Sequence, residues 1–428
     1  MPETAKIQIG DINFECPIIK GTENEIALDI GKLRSSTGYI TLDEGFANTG
    51  ACKSSITFID GEQGILRYRG YPIEQLAEHS RFIEVAWLII WGELPTKGQL
   101  NQFSSLLTEY APLHTSLEHH FDGFPKEAHP MAILSAMLNA VSCYDPDLLN
   151  IKDENQFVQA AAKIISKVRT IAAYSYRSAR GYPFNYPHPK LKYCANFLHM
   201  MFSFPYEEYK AHPDIEKALN LFFILHADHG QNCSASTVRM VGSAKADLFS
   251  SVSAGVCALW GSLHGGANSE VIKMLEDIHK TGKDPQYYID LAKSKESNFK
   301  LMGFGHRIYK SFDPRAKILK EYVDKALNLL NKKDPLLDIA KKLEELALSD
   351  PYYIERKLYP NVDFYSGILL RAMGIPNEMF TVLFAIGRIP GWIAHWKEVL
   401  EQGEKISRPR QIYTGHTIRD YVPMKNRG

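Results

Sequence analysis

The first seventy residues alternate between apolar and polar positions with a period of two. Ile7 and Ile9, then Ile12, Phe14 and Cys16, stand on either side of Gly10-Asp11, and Ile56/Phe58 and Ile65/Leu66 flank the turn sequence Asp60-Gly61-Glu62-Gln63-Gly64. Successive strand residues face opposite sides of a sheet, so the pattern predicts hairpins, and residues 1–70 are expected to form a small β module. Beyond Pro72 the period lengthens. Leu100, Phe103, Leu107 and Tyr110 recur on one helical face after Thr96, and Leu336, Ile339, Leu343 and Leu346 on another after Asp334-Pro335. The remainder is expected to be mainly helical. Its most apolar stretch, residues 85–91, is far shorter than the roughly 20 residues that span a bilayer and reads as a core helix. Polar breaks near 280–300 and 375–380 set off residues 281–379 as a small helical domain, against 71–280 plus 380–428 as a large one.

Composition narrows the function classes. The chain has 428 residues, 45% of them hydrophobic, with 49 basic and 49 acidic side chains. A basic excess for phosphate contacts is missing, so nucleic acid and anionic membranes are not expected partners; small molecules and further copies of the chain are. The six cysteines show no CxxC pair and read as reduced, mostly buried thiols. The first residues resemble neither a secretion signal nor a mitochondrial presequence, which points to the cytoplasm.

Six segments carry candidate chemistry. His226-Ala-Asp-His229 follows the apolar residues 221–225, which places both histidines on one helical face. A metal pair is one reading; hydrogen-bonded core histidines are favoured, because the third ligand of a zinc motif is missing nearby. His264 stands between Trp260-Gly-Ser-Leu and Gly-Gly-Ala-Asn268, beside an expected helix N-terminus whose dipole disfavours imidazolium and keeps a neutral N–H donor. An exposed turn histidine is the alternative. Residues 303–315, GFGHRIYKSFDPR, combine a glycine turn, His306, Lys310 and a helix start with Asp313 as N-cap and Pro314 at the first position. Arg315 then opposes the helix dipole, which favours a bound anion there over a solvated basic patch. Asp363 falls in the first turn of the next helix, where it is either a dipole complement or a partly desolvated base beside Phe364 and Tyr365. Arg388 is the one formal charge in FTVLFAIGRIPGWIAHW, so its anionic partner is either distant in sequence or a ligand. Arg408 and Arg410 follow in a segment that reads equally as an exposed tail. Histidines, arginines and one aspartate without a nucleophilic Ser or Cys suit enolisation of a carbon acid beside an anionic substrate.

These segments resemble the citrate synthase family over nearly the whole chain: LHGGAN around His264, GFGHRIYKSFDPR, NVDFYSG around Asp363, and GRIPGWIAHW followed by RPRQIYTG. ITFIDGEQGILRYRGYPIEQL is similar to the leading β module of the longer bacterial type, which forms hexamers as trimers of dimers. The resemblance implies a mainly α, two-domain helical fold with a small N-terminal β module. It implies condensation of acetyl-CoA with oxaloacetate and water to citrate and CoA, with no cofactor and no metal. Asp363 would remove the methyl proton while His264 hydrogen-bonds the thioester oxygen and His306 polarises the ketone. His229, Arg315, Arg388 and, from a neighbouring subunit, Arg408 would hold the oxaloacetate carboxylates, and Lys310 a CoA phosphate. One departure from the family's HADHEQN is Gly230, expected to loosen a helix there by up to about 1 kcal/mol. Some long bacterial members are inhibited by NADH; acidic Glu109 and the presence of Tyr206 imply weak or absent inhibition here. A 2-methylcitrate synthase acting on propionyl-CoA and a metal hydrolase using His226 and His229 are the alternatives.

Overall fold

The computed structural model describes residues 3–329, 334–403 and 405–427 and comprises two compact units, Met1–Ser55 and Ile56–Gly428. In the first, β1 (Thr4–Ile9) pairs antiparallel with β2 (Ile12–Lys20) across the Gly10-Asp11 turn, Ile7 opposite Phe14, and β3 (Ile26–Leu28) lies along the other edge of β2. Phe14 and Cys16 are buried against Leu33 of α1 (Leu33–Thr37). The expectation of strands throughout the leading seventy residues fails between β3 and residue 56. Asp43 accepts hydrogen bonds from the Ala47 and Asn48 N–H groups and the Thr49 hydroxyl, a local alternative to a strand ladder.

The second unit opens on an antiparallel meander of β4 (Thr57–Asp60), β5 (Ile65–Tyr68) and β6 (Tyr71–Pro72). Helices follow: α2 (Ile73–His79), α3 (Phe82–Trp91), α4 (Lys97–Glu109), α5 (Thr115–His119), α6 (Pro130–Val141) and the long α7 (Glu154–Ala179). Next come α8 (Tyr193–Phe202), α9 (Pro213–His226), α10 (Cys233–Ser243), α11 (Leu248–Leu259) and α12 (Ala267–Thr281). The last α-helices are α13 (Pro285–Lys293), α14 (Pro314–Leu329), α15 (Pro335–Ser349), α16 (Pro351–Glu355), α17 (Val362–Ala372) and α18 (Phe380–Glu401). The sequence sets many starts locally. Thr96 and Gln99 form a reciprocal cap on α4, and Asp334 accepts from the Leu336 N–H ahead of Pro335. On α15 the fully buried stripe is Leu336, Ala340, Leu343 and Ala347, while Ile339 and Leu346 are half-buried.

The mainly helical architecture is the expected one, and its axis is α18, buried on nearly every side and packed on α3, α7, α9, α10 and α11. That depth depends on two glycines one turn apart. A Cβ at Gly387 would stand 3.2 Å from the Phe223 carbonyl oxygen, and one at Gly391 only 2.4 Å from the Ala227 oxygen. Their bare backbone lets α18 lie directly on the end of α9. Residues 85–91 fall in α3 as core, and among the described residues no helix is long and apolar enough to cross a membrane. All six cysteines are free, but only Cys16 and Cys194 are buried; Cys143, Cys233 and Cys257 are exposed in the single chain, against the expectation of mostly buried thiols.

Candidate active site

Helix α9 stops at His226, and this corrects the reading of His226 and His229 as neighbours on one helical face. The chain leaves the helix through Ala227 and turns at Gly230, whose φ of 57° is left-handed. Gly230 therefore lies outside the helix and costs it nothing; a backbone that few other residues tolerate explains its presence instead. The two histidines diverge. The His226 Nδ1–H donates to the Phe222 carbonyl at 2.7 Å, whereas His229 Nε2 lies 3.1 Å from the Tyr309 hydroxyl, with its ring centroid 5.4 Å from that of His306.

Asp228, between them, is fully buried and anchors the turn. Its carboxylate accepts from the Thr57 hydroxyl at 2.6 Å, the Gly230 N–H at 2.9 Å and the His395 Nε2–H at 3.2 Å. Burial would raise its pKa, but His395, Arg388 and Thr57 outweigh that and hold it below the usual carboxylate range.

His264 sits in the loop before α12, and its Nε2 accepts the Ser234 backbone N–H at 3.2 Å. Ser234 is itself fixed: its hydroxyl donates to Asn232 Oδ1 at 2.7 Å and receives the Trp392 indole N–H at 3.1 Å. An accepting Nε2 leaves the proton on Nδ1. Burial first, and Arg388 second, push the His264 pKa down to about 4, so burial more than the helix dipole keeps it neutral. His306 has the opposite tautomer. Its Nδ1 accepts the Ile308 and Tyr309 N–H groups at 3.0 and 3.2 Å, which leaves the proton on Nε2, and burial followed by Arg315 lowers its pKa to about 4.

The two buried arginines are held differently. Arg315 is 3% exposed and gripped by Asp313, Nε to Oδ1 at 3.0 Å and Nη2 to Oδ2 at 2.9 Å. Its anion partner within the chain is thus Asp313, which the reading of Arg315 as an anion site did not include. Arg388, 1% exposed, donates Nε–H to the His226 carbonyl at 2.7 Å and lies against the Phe384 ring. Its Nη1 is buried without a hydrogen-bond partner among the described residues. Burial lowers the Arg388 pKa to about 10, offset by Asp228, Tyr68 and Asp363, so it stays charged at neutral pH. A buried guanidinium with an unused N–H edge is a costly feature unless an anion completes it.

Asp363 lies in the first turn of α17, its N–H accepted by the capping Asn361 side chain at 3.0 Å. Burial raises its pKa to about 6, against the pull of Arg315 and Arg388. His229, His264, His306, Arg315, Arg388 and Asp363 therefore share one electrostatic neighbourhood, each perturbed by at least one of the two arginines or belonging to that pair. Lys310 is at its edge, exposed, with its charge felt by His306. Arg408 is not brought in: it lies in an exposed segment after α18. Sequence reasoning passed over Asp228, Ser234 and Tyr309. Tyr309 alone left a local signal, as the aromatic of the segment around His306.

Neutral histidines held as fixed N–H donors, a carboxylate raised toward neutrality and buried arginines suit a helical enzyme that takes a proton from carbon beside a bound anion. Comparison with known proteins gives the family. Residues 45–410 match the family model "Citrate synthase, C-terminal domain". The chain is 54% identical over 426 residues to citrate synthase 1 of Mycobacterium tuberculosis, covering 99% of both chains, and 51% identical to the citrate synthase of Corynebacterium glutamicum, covering 97% of this chain and 95% of that one. Its fold is similar to that of citrate synthase from Pyrobaculum aerophilum, with a TM-score of 0.83 and 36% identity, over 98% of this chain and all of that one. It is also similar to the Thermoplasma acidophilum citrate synthase in ternary complex with carboxymethyl coenzyme A and oxaloacetate, with a TM-score of 0.81 and 30% identity, over 90% and 100% of the two chains. The chain belongs to the citrate synthase family.

Proposed function

We infer that the residues gathered around Arg388 and Asp363 carry out the reaction of that family. The enzyme condenses acetyl-CoA with oxaloacetate and water to give citrate and CoA. Asp363 takes a proton from the acetyl methyl group while the His264 Nδ1–H donates to the thioester oxygen, which gathers the charge of the enolate. The enolate carbon attacks the ketone of oxaloacetate, whose oxygen accepts a hydrogen bond from the His306 Nε2–H. Water then hydrolyses the citryl thioester and CoA leaves. His229, Arg315 and Arg388 bind the carboxylates of oxaloacetate, Arg408 of the partner subunit completes that set, and Lys310 meets a CoA phosphate. No cofactor is needed, since acetyl-CoA is a substrate.

The observation that carries this reading is the Arg388 Nη1, buried without a partner among the described residues in the neighbourhood of a carboxyl raised to about 6. The relatives named above do not favour the 2-methylcitrate reading, and no observation supports a metal hydrolase. Residues 281–379 would act as a small domain that closes against 71–280 plus 380–428, with 1–70 as the leading β module. A cytoplasmic homodimer, assembling further to a hexamer, with weak or absent NADH inhibition, completes the proposal. The test is thiol release from acetyl-CoA with and without oxaloacetate, repeated with propionyl-CoA. Oxaloacetate-dependent release that is faster with acetyl-CoA is expected; release independent of oxaloacetate would overturn the assignment.

A further inference from the structure

The Asp313 carboxylate is 1% exposed and accepts four N–H groups from two separate elements. Oδ1 takes the Arg315 backbone N–H and Nε–H, both at 3.0 Å, and Oδ2 takes Arg315 Nη2 at 2.9 Å and the Val362 backbone N–H at 3.1 Å. The first three lie within its own segment and would serve a helix start and an ion pair. The fourth reaches 49 residues along the chain to the first N–H of α17, one residue before Asp363. Asn361 adds a second stitch between the same segments: its Nδ2 donates to the Gly305 carbonyl at 2.8 Å and its backbone N–H to Gly303 at 2.9 Å, immediately ahead of His306.

A helix cap alone does not explain Asp313, because a serine or asparagine can cap. An asparagine here would turn an NH2 group toward either the Arg315 fork or the Val362 N–H, donor against donor; only a carboxylate accepts on both oxygens. We propose that Asp313 is a positioning residue that fastens the base Asp363 to Arg315, so that the grip on the substrate carboxylate and the placement of the base form one rigid unit. The inference rests on the roles assigned under the proposed function. The charges that face Asp363 are Arg315 on α14, Arg388 on α18 and Asp313 itself; both arginines pull its pKa down and Asp313 pushes it up, on top of the larger effect of burial. The Asp313 charge thus also keeps the base basic.

Two variants separate the links. Val362→Pro deletes the one N–H that joins Asp313 to α17 and spares the Arg315 pair. Proline suits the first position of a helix, and Asn361 before it already has the extended backbone, φ −104° and ψ −179°, that proline demands. Val362→Pro is expected to lower kcat by about 10- to 100-fold, as displaced catalytic groups do, with the calorimetric affinity for oxaloacetate within about threefold of wild type. Asp313→Asn is expected to weaken oxaloacetate by about tenfold, lower kcat and move the acid limb of kcat/KM for acetyl-CoA, at saturating oxaloacetate, to lower pH. Wild-type kcat in Val362→Pro would overturn the proposal. So would an Asp313→Asn enzyme altered only in KM, or one losing activity only in proportion to its loss of folded protein with the limb unmoved. A wild-type chain that released no thiol would instead strike the assigned reaction, whatever the variants' relative oxaloacetate affinities.

Discussion

Burial that raises the Asp363 pKa to about 6 acts on catalysis and on stability with opposite signs. With Asp363 as the proposed base, ionised above that pH, kcat/KM should fall about tenfold per unit as pH drops below it. The ordinary aspartate value lies near 3.9, so the fold prefers the neutral carboxyl; that contribution is fully present below about pH 4 and lost as pH rises through about 6. At pH 8 the ionised group costs the fold up to about 3 kcal/mol, at 1.36 kcal/mol per pKa unit. Asp363→Asn should therefore lose about 10²- to 10⁴-fold in turnover and still melt at a higher temperature than wild type at pH 8, with the difference gone at pH 4. Calorimetric melts at the two pH values check this, and equal melting points at pH 8 would contradict it. At this scale the sequence exposed whatever is local: Asn361 and Asp363 show themselves by their place at a helix start. Asp228 does not, because Thr57 and His395, which give it meaning, are 171 and 167 residues away.

Among the elements, α18 shows how a helix can hold a charge in the core. Glycine to alanine in a helix interior ordinarily gains up to about 1 kcal/mol. At Gly391 the added methyl would lie 2.5 Å from Asp228 Oδ1 as well as against Ala227, so α18 must back away and carry Arg388 from the His226 carbonyl. Gly391→Ala is expected to destabilise the fold by about 1–3 kcal/mol and to raise KM for oxaloacetate more than for acetyl-CoA. A neutral or stabilising effect in a denaturant melt, with KM unchanged, would show that the helix has room. Helix starts were legible because caps and prolines act over three or four residues, as at Thr96 and Asp334. The end of α9 was not, since the apolar period of 221–225 runs on smoothly and only the left-handed φ of Gly230 shows that the helix has already stopped.

The whole molecule leaves a long apolar margin uncovered in the single chain. Beyond α18, Ile406, Ile412, Tyr413, Ile418 and Tyr421 are all exposed, and Arg408 lies among them. A second copy is the expected cover, in keeping with the shared site proposed above. Mixed dimers of Arg408→Leu with Asp363→Ala should recover activity after dissociation and reassembly, because one of the two sites then carries both native residues. No recovery in confirmed mixed dimers would count against sharing. Ordered binding is expected as well. Arg315 and Arg388 come from different helices, so a dicarboxylate held by both should draw them together and prepare the place of the thioester. Titration of acetyl-CoA, or an unreactive analogue, should show tighter binding once oxaloacetate or a nonreacting mimic is present, and equal affinity would sink the scheme. The family and the helical class were legible in the segments of the sequence. The expected assembly rests on the resemblance instead, since no pattern within one chain records which of its surfaces a second copy covers.

The opposite tautomers of His264 and His306 have a stereochemical consequence. Each ring is locked by backbone N–H groups, so one donor points from an Nδ1 and the other from an Nε2, and neither can flip without losing its anchor. A ketone held by its carboxylates and by one such donor offers a single face to the arriving enolate. Citrate has two chemically identical CH2 arms and no stereocentre, yet isotope introduced through the acetyl group should appear in one arm alone, handedness written into an achiral product by the placement of two protons.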